Sequence, residues 1–205
     1  KQITCEYSAR EHQAVLGSLR DAMRRFSIDS DRVFLAGHGL GGNLAWDIAL
    51  AHPDLWAGVV PIVALADRYC LRYNKNAEYV PWYFVAGELD GDKLATNAAQ
   101  LDRYVGAVRT RPNVDATVDE YLGRGYEGFS DEIQRIFDWM NRRVRTMPNE
   151  FECVTMRPWD NFFWWLEAHD LPDKSMVAPV NWPPPRNTRP FVLRSRIATG
   201  NKVQV

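Results

Sequence analysis

The apolar positions of this chain change period several times, and each change marks an element. Over 8–26, Val15, Leu19, Met23 and Phe26 recur at helical spacing. Ser8 and Glu11 stand ahead of them as S-x-x-E, a capping box in which each end bonds the other's backbone N–H. Val33-Phe34-Leu35-Ala36 is a short run without polar residues, the pattern of a strand buried on both faces. A glycine-rich turn follows it. A helix is then predicted over 43–52, with Leu44 and Ile48 on one face and Pro53 ending it. Val59 to Val63 reads as a second buried strand, interrupted by Pro61.

The second half of the pattern repeats the first. Residues 66–80 are polar and loop-like, and 82–86 is a third strand. Leu94, Ala98, Leu101, Val105 and Val108 predict a helix over 93–109. Residues 115–122 form a fourth strand. Ser130 is placed to cap a helix over 131–145, with Asp131 and Glu132 at its positive end and Arg142, Arg143 and Arg145 near its negative end. Strands alternating with helices predict an α/β fold, a parallel sheet with right-handed crossovers. Past Met147-Pro148 the helical period stops, prolines and aromatics accumulate, and the chain reads as a β-rich appendage. The expected division is therefore 1–147 and 148–205.

Composition narrows the class. The 205 residues are 46% hydrophobic, enough for a core, and the net charge of −1 provides no basic surface for nucleic acid. No apolar run is long enough to span a bilayer, and no signal peptide is visible. The chain starts at Lys1 rather than Met, so an upstream segment is expected. Cys5, Cys70 and Cys153 have neither zinc nor disulfide-framework spacing. Reduced thiols, some packed inside, are expected, and they lean towards a soluble cytoplasmic protein. No cofactor and no metal are expected, since no His-x-x-x-His pair or His/Cys cluster occurs. His12 and His52 are read as surface or boundary residues, and His169 as part of the appendage.

Candidate chemistry lies in three loops that leave the carboxyl ends of the predicted strands, where parallel sheets collect function. They are Gly37-His38-Gly39-Leu40-Gly41-Gly42, Gly87-Glu88-Leu89-Asp90-Gly91-Asp92, and Gly123-Arg124-Gly125-Tyr126-Glu127-Gly128-Phe129. The first has the strand–turn–helix setting of the G-x-S-x-G nucleophile elbow, with Gly39 where the serine belongs. The stretch from Ile28 to Gly42 resembles the elbow of esterase-like α/β-hydrolases (feruloyl-esterase, polyhydroxybutyrate-depolymerase and prolyl-oligopeptidase-like members), which write D-x-x-R-V-x-x-x-G-x-S-x-G-G there. Ala51 to Gly58 resembles their post-elbow helix end, Gly87 to Asp90 their G-x-x-D acid loop, and Gly125 to Phe129 their histidine loop. The likeness covers roughly residues 8–145 and implies a partial α/β-hydrolase fold whose N-terminal strands are missing. Residues 2–7 are read as a remnant strand.

The resemblance implies a triad running nucleophile, acid, histidine, and this chain has Gly39, Asp90 and Tyr126 at those places. Glycine has nothing to acylate. Bringing a phenol pKa from about 10 to about 7 needs roughly 4 kcal/mol, so tyrosine is a poor general base. In a serine protease, loss of the serine or histidine alone costs on the order of 10⁶ in turnover. The expected function is a catalytically degenerate hydrolase-like domain serving as a binding or scaffold module. The Leu40 N–H, with His38 and Gly41 beside it, is the one expected oxyanion donor. Asp90 is expected to cap the next helix or to bond Tyr126, and His38 to pack into the scaffold.

Two alternatives stay open. One is an active esterase or peptidase with its catalytic groups elsewhere. The other is a nucleotide-binding loop, since Gly37, Gly39 and Gly42 also spell G-x-G-x-x-G; the acid at the next strand end is Asp67, 25 residues after Gly42. The exposed edge of the 33–36 strand calls for a cover from the tail, a second copy or further domains. In the tail, Phe162 and Trp164 are expected on one face of a wedged strand, and Phe163 and Trp165 on the other. Trp182-Pro183-Pro184-Pro185 reads as a stiff connector to a terminal strand pair.

Overall fold

The computed structural model describes residues 4–105, 114–200 and 202–205. Four parallel strands form the central sheet: β1 (Phe34–His38), β2 (Gly58–Ile62), β3 (Trp82–Gly87) and β4 (Ala116–Tyr121), in the order β1-β2-β3-β4. Side chains alternate across this sheet and create two cores. Val59, Trp82 and Phe84 face one side with Trp46 and Tyr104, while Val60, Tyr83 and Val85 face the other with Ile136 and Trp139. Helices α1 (Ala9–Arg25), α2 (Leu40–Ala51) and α3 (Lys93–Val105) contribute to the first core, and α4 (Ile133–Asn141) covers the second.

Helix α1 starts where its capping box predicts. Ser8 Oγ accepts from the Glu11 N–H, and Glu11 accepts from the Ser8 N–H at 2.8 Å. Helix α2 is buried almost all round, as an apolar central helix must be. Both the 33–36 and the 59–63 strands are expected to be buried; β2 is, but β1 stands at the edge of the sheet with Ala36 exposed. The apolar run at 33–36 reflects half-burial against α2 and Trp139, not enclosure between two strands. Residues 4–8 carry no strand, and residues 2 and 3 of the expected remnant lie outside the described residues. Val108 lies outside them too. At α4 the expected Ser130 cap is replaced by a 3-10 turn, Ser130–Glu132, entered through Phe129 at φ 48°.

The polar stretch 66–80 is not a surface loop. Its two 3-10 turns, Arg68–Leu71 and Asn74–Tyr79, bury Tyr69, Cys70, Tyr73 and Asn76. Asn76 explains part of this: its side chain bonds Leu50 O at 2.7 Å, Val154 O at 2.9 Å and Val154 N at 2.8 Å. It thereby fastens α2 to the tail.

The tail is β-rich. Strand β5 (Glu150–Thr155) pairs antiparallel with β8 (Phe191–Ala198), which pairs with β9 (Lys202–Gln204). Strands β6 (Phe162–Phe163) and β7 (Leu166–Glu167) form a small hairpin. The aromatic cluster therefore does not alternate along one strand. Trp164 and Trp165 fall in the hairpin turn, and both rings pack on Phe151 at about 5 Å. Val154, Met156 and Val177 join the same apolar cluster as α2.

Candidate functional site

Because β1, β3 and β4 are parallel, their carboxyl ends deliver three loops to one rim of the sheet. At the end of β1 the chain reverses into α2 within one residue, Gly39, at φ 56° and ψ −121°. This backbone is open to glycine and costs other residues roughly 1–3 kcal/mol. The reversal is fixed by Gly39 N–H donating to Ile62 O at 2.9 Å and Asn43 N–H donating to Gly39 O at 3.0 Å. Strand and helix pass so closely that a Cβ on Gly37 would overlap the Gly41 carbonyl. Leu40 and Gly41 open α2 on the exposed side.

The structure brings Tyr126 directly over this turn. A Cβ built on Gly39 would overlap the Tyr126 hydroxyl and lie 3.1 Å from its Cζ. The loop carrying Tyr126 is braced by Arg124, which pairs with Glu127 at 2.9 Å and Asp131 at 2.6 Å. The Arg124 guanidinium also stacks over Tyr121 and Phe129, at 4.5 and 4.6 Å from the ring centres. Leu89 N–H donates to Arg124 O at 2.8 Å, tying this loop to the Asp90 loop.

His38 does not pack into the scaffold as expected. It is exposed, its Nε2–H donates to Glu127 O at 2.9 Å, and its ring meets Tyr126 edge-on at 4.8 Å. The edge position of β1 turns this side chain outward, and the Tyr126 loop receives it. Asp90 does not bond Tyr126 directly. Its Oδ2 lies 2.9 Å from Lys93 Nζ, three residues on in the first turn of α3. Lys93 also donates to Val63 O at 3.0 Å and sits 4.6 Å from the Tyr126 ring centre. Asp90 thus reaches Tyr126 through a cation–π contact made by Lys93. Val63, the β-branched residue that presents this carbonyl, holds φ 44°, a strained backbone beside the rim.

Cys5 reaches the same rim, donating from Sγ to Leu40 O at 3.2 Å. Burial first, and Glu11 second, push its thiol up to about 11, so it is protonated at neutral pH. Cys70 and Cys153 are free and buried. Asp67 serves as the cap of the Arg68–Leu71 turn, accepting from Arg68 N–H at 2.7 Å.

A second polar centre was not foreseen from the sequence. His12 and His52, expected near the surface, are 1% and 8% exposed. His12 Nε2–H donates to Asp47 Oδ2 at 2.8 Å, and its Nδ1 lies 3.3 Å from His52 Nε2 and 3.7 Å from Asp160 Oδ1. Arg157, fully buried, pairs with Asp47 at 2.8 Å and Asp160 at 2.5 Å. Burial alone would raise the Asp47 pKa, but Arg157 and His12 overcome it and hold the carboxyl below its usual value. Burial lowers His52 to about 4, so its ring is neutral at pH 7. One signal was available: His12 lies three and seven residues before Val15 and Leu19, on the apolar stripe of α1.

No family model and no curated protein matches this chain by sequence. Solved structures do match it in fold. A thermostable esterase superposes with a TM-score of 0.51 at 18% identity, covering 64% of this chain and 36% of its own. Arabidopsis thaliana SOBER1 gives 0.51 at 19% identity, covering 69% of this chain and 67% of its own. This is an α/β-hydrolase-like fold. A ferulic acid esterase gives 0.51 at 18% identity, covering 64% of this chain and 60% of its own. The chain spans between about a third and two thirds of the length of these structures. Among the described residues, no helix is long and apolar enough to cross a membrane.

Proposed function

We propose that this chain is a catalytically degenerate α/β-hydrolase-like domain that acts as a binding or scaffold module. The observation that carries the reading is the pairing of Gly39 with Tyr126. The turn makes a sharp strand-to-helix reversal at a positive φ, the kind of turn a nucleophile elbow uses, yet the space a Cβ at position 39 would need is taken by a phenol. The acid position is diverted as well, since Asp90 is paired with Lys93. Cys5, the thiol beside the turn, is held protonated and is no substitute nucleophile.

We assign 1–147 to the hydrolase-like unit and 148–205 to the tail. The outer edge of β1 pairs with no strand among the described residues. It is the edge on which we place a partner, a second copy or further strands of a longer polypeptide. A fluorophosphonate probe, which labels activated serines, tests the reading directly. No labelling of the folded protein is expected. Labelling of any serine that is lost on denaturation would instead support a working hydrolase with its nucleophile elsewhere.

A further inference from the structure

The buried centre between α1, α2 and the tail has the donor set of a metal site. His12, His52 and Asp160 converge there, one ligand atom of each lying within 4.8 Å of the others; His12 Nδ1 approaches both His52 Nε2 and Asp160 Oδ1. A tetrahedral zinc centre with bonds of about 2.0–2.1 Å sets its donors about 3.3 Å apart. The His12–His52 separation is 3.3 Å and the His12–Asp160 separation 3.7 Å. We propose that His12, His52 and Asp160 bind one divalent transition-metal ion of the zinc class, which ties both helices to the tail.

Two of the three ligands are oriented for that task by neighbours. Asp47 accepts only, so it takes the Nε2–H of His12 and leaves Nδ1 as a lone pair directed at His52 Nε2, 3.3 Å away. This carboxylate–histidine arrangement is the usual support of a metal-bound imidazole. Asp160 Oδ2 is held by Tyr73 Oη at 2.9 Å and Arg157 Nε at 2.5 Å. Its Oδ1 is fully buried and without a hydrogen-bond partner, and it faces His12. An unpaired buried carboxylate oxygen is costly and calls for a cation.

Charge counting agrees. Asp47 and Asp160 contribute −2 and Arg157 +1, so with neutral imidazoles the centre keeps one buried negative charge. A bound cation supplies the missing positive charge. Three converging donors match a metal ion, which can bond to all of them at once.

The test uses the whole chain, purified without chelators and without a polyhistidine tag. Elemental analysis is expected to find about one equivalent of zinc-class metal. After chelator treatment, Co(II) should restore visible d–d bands of a low-coordinate site. Zn(II) should raise the Tm of the stripped protein. His52→Gln keeps the ionic pairs of Arg157 and should fold, but lose more than about 100-fold in Zn(II) affinity, beyond the 10–100-fold typical of supporting residues. Asp160→Asn should lose the cobalt bands. Wild-type protein with no stoichiometric metal and no Zn(II)-dependent Tm shift would overturn the proposal. Equal metal uptake by His52→Gln would overturn it too, since the metal would then sit elsewhere.

Discussion

The contact between Gly39 and Tyr126 makes a quantitative prediction about coupling. Gly39→Ala adds a Cβ in a backbone conformation that costs roughly 1–3 kcal/mol for any non-glycine residue. That Cβ also overlaps the Tyr126 hydroxyl, so the ring must leave. Leaving breaks the Lys93 cation–π contact, worth about 0.5–1 kcal/mol, and the edge-on contact with His38, worth about 0.5–1.5 kcal/mol. Gly39→Ala should therefore destabilise by roughly 2–5 kcal/mol. In a Tyr126→Ala background the ring is already gone, and only the backbone strain remains. The two substitutions should couple by about 1–2 kcal/mol. Urea denaturation of wild type, both single variants and the double variant closes the cycle. Additive effects within about 0.3 kcal/mol would refute the reasoning, because Tyr126 would then not be wedged over the turn.

Two further predictions concern buried polar side chains away from the rim. Asp54 is buried, one oxygen is unpartnered, and burial raises its pKa from 3.8 to about 6, against bonds from its own and Trp164's backbone and the charge of Arg145. A raised carboxyl favours the folded state only while protonated, so its contribution is full below about pH 4 and is lost as pH rises through about 6. The difference is at most about 3 kcal/mol. Asp54→Asn should thus exceed wild type in stability at about pH 7.5 and match it near pH 4, read as the difference between their denaturation midpoints; equal stability at both pH values would contradict this. Asn76→Ala leaves Leu50 O, Val154 O and Val154 N without their partner and should cost roughly 2–4 kcal/mol, with tryptic cleavage in the tail rising first. An Asn76→Ala protein as stable as wild type would show that the tail is not anchored there.

The parts of this fold that were legible in the sequence are those set by local pattern. Period-3.6 and continuous apolar runs predicted the four parallel strands and their helices, and the capping box placed the start of α1. The rim loops were legible because strand ends in a parallel sheet gather on one side. What stayed hidden depends on neighbours. The run at 33–36 looks enclosed, yet β1 is an edge, and that same edge turns His38 outward. Polar residues at 66–80 suggested solvent, but Tyr73 and Asn76 direct their polar groups to the tail. His12, His52 and Asp160 are separated by 40 and 108 residues, and only the docking of the tail on α1 and α2 brings them together. Lys93 as the link between Asp90 and Tyr126 was likewise invisible, because its third contact is a backbone carbonyl at the end of β2.

Turnover tests the central claim most directly. The purified chain should be assayed against a panel of short- and long-chain esters, feruloyl esters and peptide amides, beside its Asp90→Ala variant. Degeneracy at Gly39 and Tyr126 predicts rates indistinguishable from buffer for both proteins. Saturable hydrolysis by the wild-type chain that Asp90→Ala abolishes would contradict it, because an acid at that position would then still be serving a working triad.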